Sequence, residues 1–189
     1  MTCWPVSRPN GSSIAFIIEY QAQACLFAGG AHPRVLAASL RRLTEEKGIK
    51  RLSLDAVKLP HHGSMSNHGS MSNIDDELVS LIDCSQWLIS TNGANFGHPD
   101  QAIAGFIAMR SDKPSRLLCN YRVASTERLA NGDGDKPWHT VYPGDGADEG
   151  PAGGLMVDLA ASPTPLTRPD AASTSSSVTG ARRRTRKKT

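Results

Sequence analysis

At 189 residues, 39% of them hydrophobic and 21% charged, the chain is long enough to bury one real core. The formal net charge of +3 is unevenly spread. From Arg168 onward seven Lys or Arg stand against Asp170 alone, leaving fourteen basic and seventeen acidic residues, a net −3, for residues 1–167, so the body is not a basic nucleic-acid surface and any such contact belongs to the tail.

The start, MTCWPVSRPNGSS, lacks a charged leader, and the first apolar run, IAFII, is far too short to span a bilayer, so neither an export signal nor a membrane segment is expected. Four cysteines, Cys3, Cys25, Cys84 and Cys119, form no CxxC pair, and three lie in apolar segments. They read as buried reduced thiols, which suits a cytoplasmic protein.

Along SSIAFIIEY the residues Ile14, Phe16, Ile18 and Tyr20 alternate onto one face, which predicts a strand, and ACLFAGG after the polar QAQ reads as its hairpin partner. Pro33 opens a helix whose Leu36, Leu40 and Leu43 share a side, and Gly48 stops it. LDAVKLP is a strand, and NIDDELVSLI is a short helix with Asn73 as N-cap and Asp76 three residues on, in capping-box spacing. QWLIST is a strand, PDQAIAGFIAMR a helix begun by its proline, and RLLCNY another strand. Residues 122–152, rich in Gly, Asp and Pro, read as a long irregular connection, and GGLMVDL as a last strand.

Two strands followed by alternating helix and strand predict an α/β layered fold for a domain over residues 1–160. Ser, Thr, Pro and Ala dominate residues 161–189, a tail expected to be disordered. Six cations within residues 182–188 could contact nucleic-acid phosphates, although no aromatic residue is interleaved to stack on bases.

Two features carry chemistry. HGSMSN, His62 to Asn67, recurs unchanged as His68 to Asn73. Polar loops tolerate such insertions, since each doubling of loop length costs only about 0.6 kcal/mol. His62 keeps its link to the preceding strand and His68 its distance to the following helix. Strand ends are held more rigidly, which favours His62 and leaves His68 as the duplicate alternative.

The second feature is three polar loops that each follow a strand: AGGAHP, PHHGS and TNGANFGHP. Ligands of open α/β sheets bind outside the carboxyl ends of strands, so His32, His61, His62, Asn92, Asn95 and His98 are expected at one rim. A lone histidine there is more often a capping or core residue. Histidines after three successive strands point to a site.

From about Asn10 to Tyr121, and weakly to Leu159, the chain resembles the metallo-β-lactamase-fold hydrolases, in the branch typified by the hydrolase domain of the ComEC competence protein. The similarity rests on NGSSIAFIIEY, VKLPHHGS, ISTNGANFGHP and a strand ending in GGAH where the family has G-D-A-H. It implies the C-terminal half of an αββα sandwich and a zinc-dependent hydrolase acting on phosphoesters or nucleic acid. By the same resemblance His62 is a metal ligand with His61 beside it. Ser64, Asn95 and His98 face the substrate, with His98 stabilising an anion or protonating a leaving group.

The departures matter as much. The family's HxHxDH motif has no counterpart here, and its bridging aspartate is Gly30. The chain is therefore expected to enter the fold halfway, to present over residues 13–121 an apolar sheet face that the other half would cover, and to be inactive alone unless an N-terminal half or an oligomer partner supplies the missing ligands. The competing readings are a non-catalytic remnant and a nucleic-acid-associated module working through the basic tail.

Overall fold

The hairpin expected near the start forms as β1 (Phe16–Tyr20) and β2 (Gln23–Phe27), antiparallel around Gln21 and Ala22 at φ 48° and 64° in a two-residue turn. A computed structural model describes residues 13–65, 73–129, 137–144 and 154–159. His68, Cys3 and the tail 161–189 lie outside them.

Helix α1 (Pro33–Lys47) has its proline in the first turn and ends at Gly48, whose φ of 66° lets the chain turn back while its N–H bonds Glu45 O. Leu36, Ala37, Leu40 and Thr44 form its buried stripe. LDAVKLP gives one strand, with a second short strand just ahead of it and Asp55 in the break between the two. Leu52–Ser53 (β3) pairs with Ile82–Asp83 (β5) in a small separate sheet, while Ala56–Lys58 (β4) joins the main one. The Asp55 carboxylate accepts the Ala24 N–H at 2.7 Å, tying the break to the hairpin.

Helix α2 (Asp76–Ser80) is capped by Asp75, whose carboxylate accepts the Leu78 N–H at 2.8 Å. The expected cap, Asn73, lies too far upstream. It is buried, and its N–H reaches Met65 O at 3.3 Å. QWLIST gives β6 (Gln86–Ile89), and α3 (Ala102–Arg110) follows with Gln101, not Pro99, at its start. RLLCNY gives β7 (Ser115–Cys119).

The connection expected to be irregular contains α4 (Ala124–Glu127) and β8 (Trp138–Val141), an aromatic and β-branched run whose Gly- and Asp-rich surroundings hide it. GGLMVDL, by contrast, forms no strand among the described residues 154–159, which make only a single bridge at Leu155.

The main sheet has the order β1-β2-β4-β6-β7-β8, with β1 antiparallel to β2 and every other pair parallel. The fold is thus mixed α/β on a mostly parallel sheet. Register aligns Ile17, Leu26, Val57, Trp87, Leu117 and Thr140 across one face. That face packs with Leu36 and Leu40 of α1, Leu78 and Val79 of α2, and Ile103 and Ile107 of α3 in one core.

The opposite face is covered unevenly. Leu118 and Val141 are buried at the β7–β8 side, but Phe16, Ile18 and Tyr20 on β1 remain 48%, 50% and 69% exposed. No helix among the described residues is long and apolar enough to cross a membrane. Cys25, Cys84 and Cys119 are buried free thiols, and burial pushes the last two up to about 12, so they serve as small hydrophobes.

Candidate functional site

Because β2, β4 and β6 are parallel, the loops that leave them emerge on one edge of the sheet. The turn after β4 is the tightest. His61 and His62 adopt φ of 47° and 57°, and Gly63 follows at 83°. Left-handed angles at non-glycine residues cost about 1–3 kcal/mol each and persist only where the surroundings impose them.

Those surroundings are specific. The His61 N–H donates to Gly29 O at 3.0 Å, locking this turn to the loop after β2. His62 Nδ1 lies 2.5 Å from Ser90 O at the end of β6. A carbonyl can only accept, so Nδ1 carries the proton and the neutral ring keeps its lone pair on Nε2. The side chain is exposed, the posture of a histidine whose second nitrogen is free for a ligand or a proton.

The GHP loop closes onto the same turn. Pro99 lies where a side chain at Gly63 would be, since a Cβ there would stand 2.9 Å from Pro99 Cβ. Asp100 then bridges the two loops. Its N–H donates to Gly63 O at 3.1 Å, and its carboxylate accepts the Met65 N–H at 2.7 Å. The two quoted motifs, PHHGS and GHP, are therefore one mechanical unit.

His61 sits inside this unit. Burial pushes its imidazole below the ordinary histidine range, against a hydrogen bond with the Ala31 backbone, and the neighbouring His32, His62 and His98 lower it further. Four histidines thus share one electrostatic neighbourhood. His98 stacks on Phe96 with ring centroids 5.9 Å apart. Its Nδ1 is buried with no hydrogen-bond partner, and the nearest carboxylate oxygen, Asp100 Oδ1, stands at 3.6 Å.

The other expected residues fall in different settings. Asn95 is exposed on the loop, as is Asn92, whose side chain already accepts the Ala94 N–H in a local turn. Ser64 is 2% exposed, beneath the turn rather than on its surface. At Gly30 a Cβ would lie 3.4 Å from Ser13 Oγ and 3.7 Å from His61 Cε1, and φ there is not left-handed, so the position would admit a Cβ between Ser13 and His61. Gly30 itself contributes only its N–H, donated to Ser13 Oγ at 2.8 Å.

Asp100 and the Ser90 carbonyl were not among the expected residues. The signal for Asp100 was present: a carboxylate two residues beyond His98 and just ahead of a helix. Among the described residues no three His, Cys, Asp or Glu side chains gather as a group that could hold a metal ion. Compared with known proteins, the chain matches no family model, no curated protein and no solved structure.

Proposed function

We propose that this chain carries the substrate-side half of a metallo-β-lactamase-type hydrolase domain of the ComEC-like branch, and that alone it neither holds zinc nor hydrolyses phosphoesters. The observation that supports the reading is the interlock of PHHGS and GHP: Pro99 against Gly63, Asp100 on Met65, and His62 braced on Ser90 with Nε2 turned out. Strain is held at a pair of histidines beside a position, Gly30, that tolerates a Cβ and carries no side chain.

The donor set does not fit a resident zinc ion. Zinc takes three or four nitrogen, sulfur or oxygen donors. Of the family's expected ligands His62 and His61 each commit one ring nitrogen to the backbone and so offer at most one donor apiece, and Gly30 has no ligand atom. What these residues can do is position an anionic or polar substrate: His62 Nε2 accepts or passes a proton at the rim, and His98 gains a carboxylate neighbour in Asp100 when protonated. The bare β1 face is where the other layer of an αββα sandwich would lie. Buried free thiols suit a cytoplasmic setting.

The test is elemental analysis of the full chain together with hydrolysis of bis(p-nitrophenyl) phosphate in added zinc. Substoichiometric metal and no turnover are expected. A hybrid joining a family N-terminal half in frame to this chain with Gly30→Asp should bind zinc, and His62→Ala should weaken that binding. Stoichiometric zinc in the unmodified chain, abolished by His62→Ala, would overturn the reading, as would a folded hybrid indifferent to His62.

A further inference from the structure

Strand β1 ends the sheet, and no described strand lies beyond it. Its free edge can be read from the hairpin. In a two-residue turn closed by Tyr20 and Gln23, the residues that bond across to β2 are Tyr20, Ile18 and Phe16. The N–H and C=O groups of Glu19, Ile17 and Ala15 therefore point away from the sheet. Natural edge strands are usually blunted by Pro, Lys or a bulge. This one has none of these, carries the single charge of Glu19, and bears exposed Ile14, Phe16, Ile18 and Tyr20 on one face.

We infer that β1 is a pairing edge for a second copy of this chain, joined antiparallel about a two-fold axis through Ile17 to give a continuous twelve-stranded sheet. The reading is independent of any hydrolase ancestry.

Three observations select a second copy as the occupant. The first is register. With Ile17 opposite Ile17 and Ala15 opposite Glu19, every outward backbone group on each strand meets its complement. The same register sets Ile14 against Tyr20 and Phe16 against Ile18, twice over, so all eight exposed apolar side chains form cross-strand pairs.

The second is area. Ile14, Phe16, Ile18 and Tyr20 are 78%, 48%, 50% and 69% exposed. At about 200 Å² for a large side chain they leave about 500 Å² open per copy. Joining the edges covers the flanks of these side chains and leaves the sheet face they stand on open, so the interface stays below the about 1,000 Å² of a stable specific one. A reversible dimer follows.

The third is charge. Lys47 bonds Glu19 at 3.4 Å, and an open cleft of ≈ 480 Å³ between β1 and α1 is lined by Ala15 and Ile17 on one side and Val35, Ser39 and Leu43 on the other. Helix α1 therefore runs alongside β1, with its Lys47 end at Glu19. The two-fold axis sets the two helices antiparallel across the seam, so the Arg34 end of each copy is directed towards the Glu45–Glu46 end of the other and not towards its own like.

The test uses the full chain in sizing chromatography with light scattering over a dilution series. Twice the monomer mass of 20.2 kDa is expected at high concentration, falling to one mass on dilution. Phe16→Lys and Ile18→Lys should each give a folded monomer, the first melting lower than the dissociated wild type because it also loses the stack of Phe16 on Phe27. An equimolar mixture of Phe16→Cys and Ile18→Cys chains, both also carrying Cys3→Ala and Cys25→Ala because Cys25 lies opposite Ile18 within the chain, should cross-link faster and further than either variant alone, because those positions face each other only across the two-fold. A monomer at every concentration overturns the inference. So does a dimer indifferent to both lysines, a mass that grows without stopping at two, or a mixture that cross-links no better than its parts.

Discussion

His61 and His62 hold left-handed backbone angles kept in place by contacts to Gly29, Ser90 and the Pro99–Asp100 loop, whereas Phe16, Ile18 and Tyr20 sit in relaxed strand geometry with little laid over them. One region spends local energy to be fixed, and the other, outside its Gln21–Ala22 turn, spends none and leaves apolar surface in water. A fold tolerates each imbalance only for a reason outside that region. For the turn the reason is placement of imidazoles. For the strand it is a surface that another layer or another copy can cover.

Substitutions should separate the two regions sharply. Leu117 is fully buried on the helix-covered face, and Leu117→Ala should cost about 2–5 kcal/mol in chemical denaturation. Ile18→Ala, at the same sheet's bare edge, should change monomer stability by no more than about 0.5 kcal/mol. A comparable loss at both positions would mean that β1 is covered after all.

At the braced turn, Gly63→Ala meets two obstacles at once: a φ of 83° and a Pro99 Cβ only 2.9 Å away. Destabilisation of about 1–3 kcal/mol is expected, with faster amide exchange at Met65 and Asp100 as the two loops part. Unchanged exchange at those amides would show that the loops are held by something other than this contact.

The acid response sharpens the comparison further, because the turn carries a buried titrating group in His61. Burial holds the His61 imidazole below its ordinary value in the folded chain. In the interval between its folded pKa and the unfolded value of about 6.5, the unfolded chain binds more protons. The contribution of His61 is therefore full above about pH 6.5 and is lost as pH falls through the folded pKa. Thermal melts should show a decline below about pH 6.5 that is shallower in His61→Gln. A variant with the wild-type pH slope would assign that decline elsewhere.

Much of this was legible in the sequence. Alternation in SSIAFIIEY, the Pro33 and Gly48 boundaries and the apolar run QWLIST all specify local structure through one dominant preference, and the order of elements yields a parallel sheet with its polar loops on one edge. What misled was competition between near-equal local signals. Asn73 and Asp75 are both good caps, and only the Met65–Asn73 contact, made across the loop, decides between them. β8 and GGLMVDL carry similar β-propensity, and it is the pairing of β8 with β7 that separates them. At the rim, the histidines were visible by type, but Asp100, which joins their loops, acts through two backbone groups that leave no mark on spacing. The buried setting of Ser64 was equally invisible.

A small effect is also expected at the duplicated HGSMSN, and it bears on which region the insertion belongs to. Met65 O and the Asn73 N–H meet at 3.3 Å, so the two residues that flank the segment stand side by side. An insertion entering and leaving through such a neck need not disturb the turn before it or the helix after it, and the cost of closing its loop grows only slowly with length. Deleting His68 to Asn73 puts Asn67 in the place of Asn73, two residues after Met65, a separation that a three-residue turn can bridge. The deletion variant should therefore melt within about 1 kcal/mol of the parent, since neither the His62–Ser90 brace nor the Asp75 cap is touched. Two-dimensional amide spectra should show shifts confined to Ser64–Met65 and Ile74–Asp75. A large fall in melting temperature, or shifts spreading into Pro99–Asp100, would mean that the second copy is packed into the rim, and that His68 rather than His62 deserves the first substitution there.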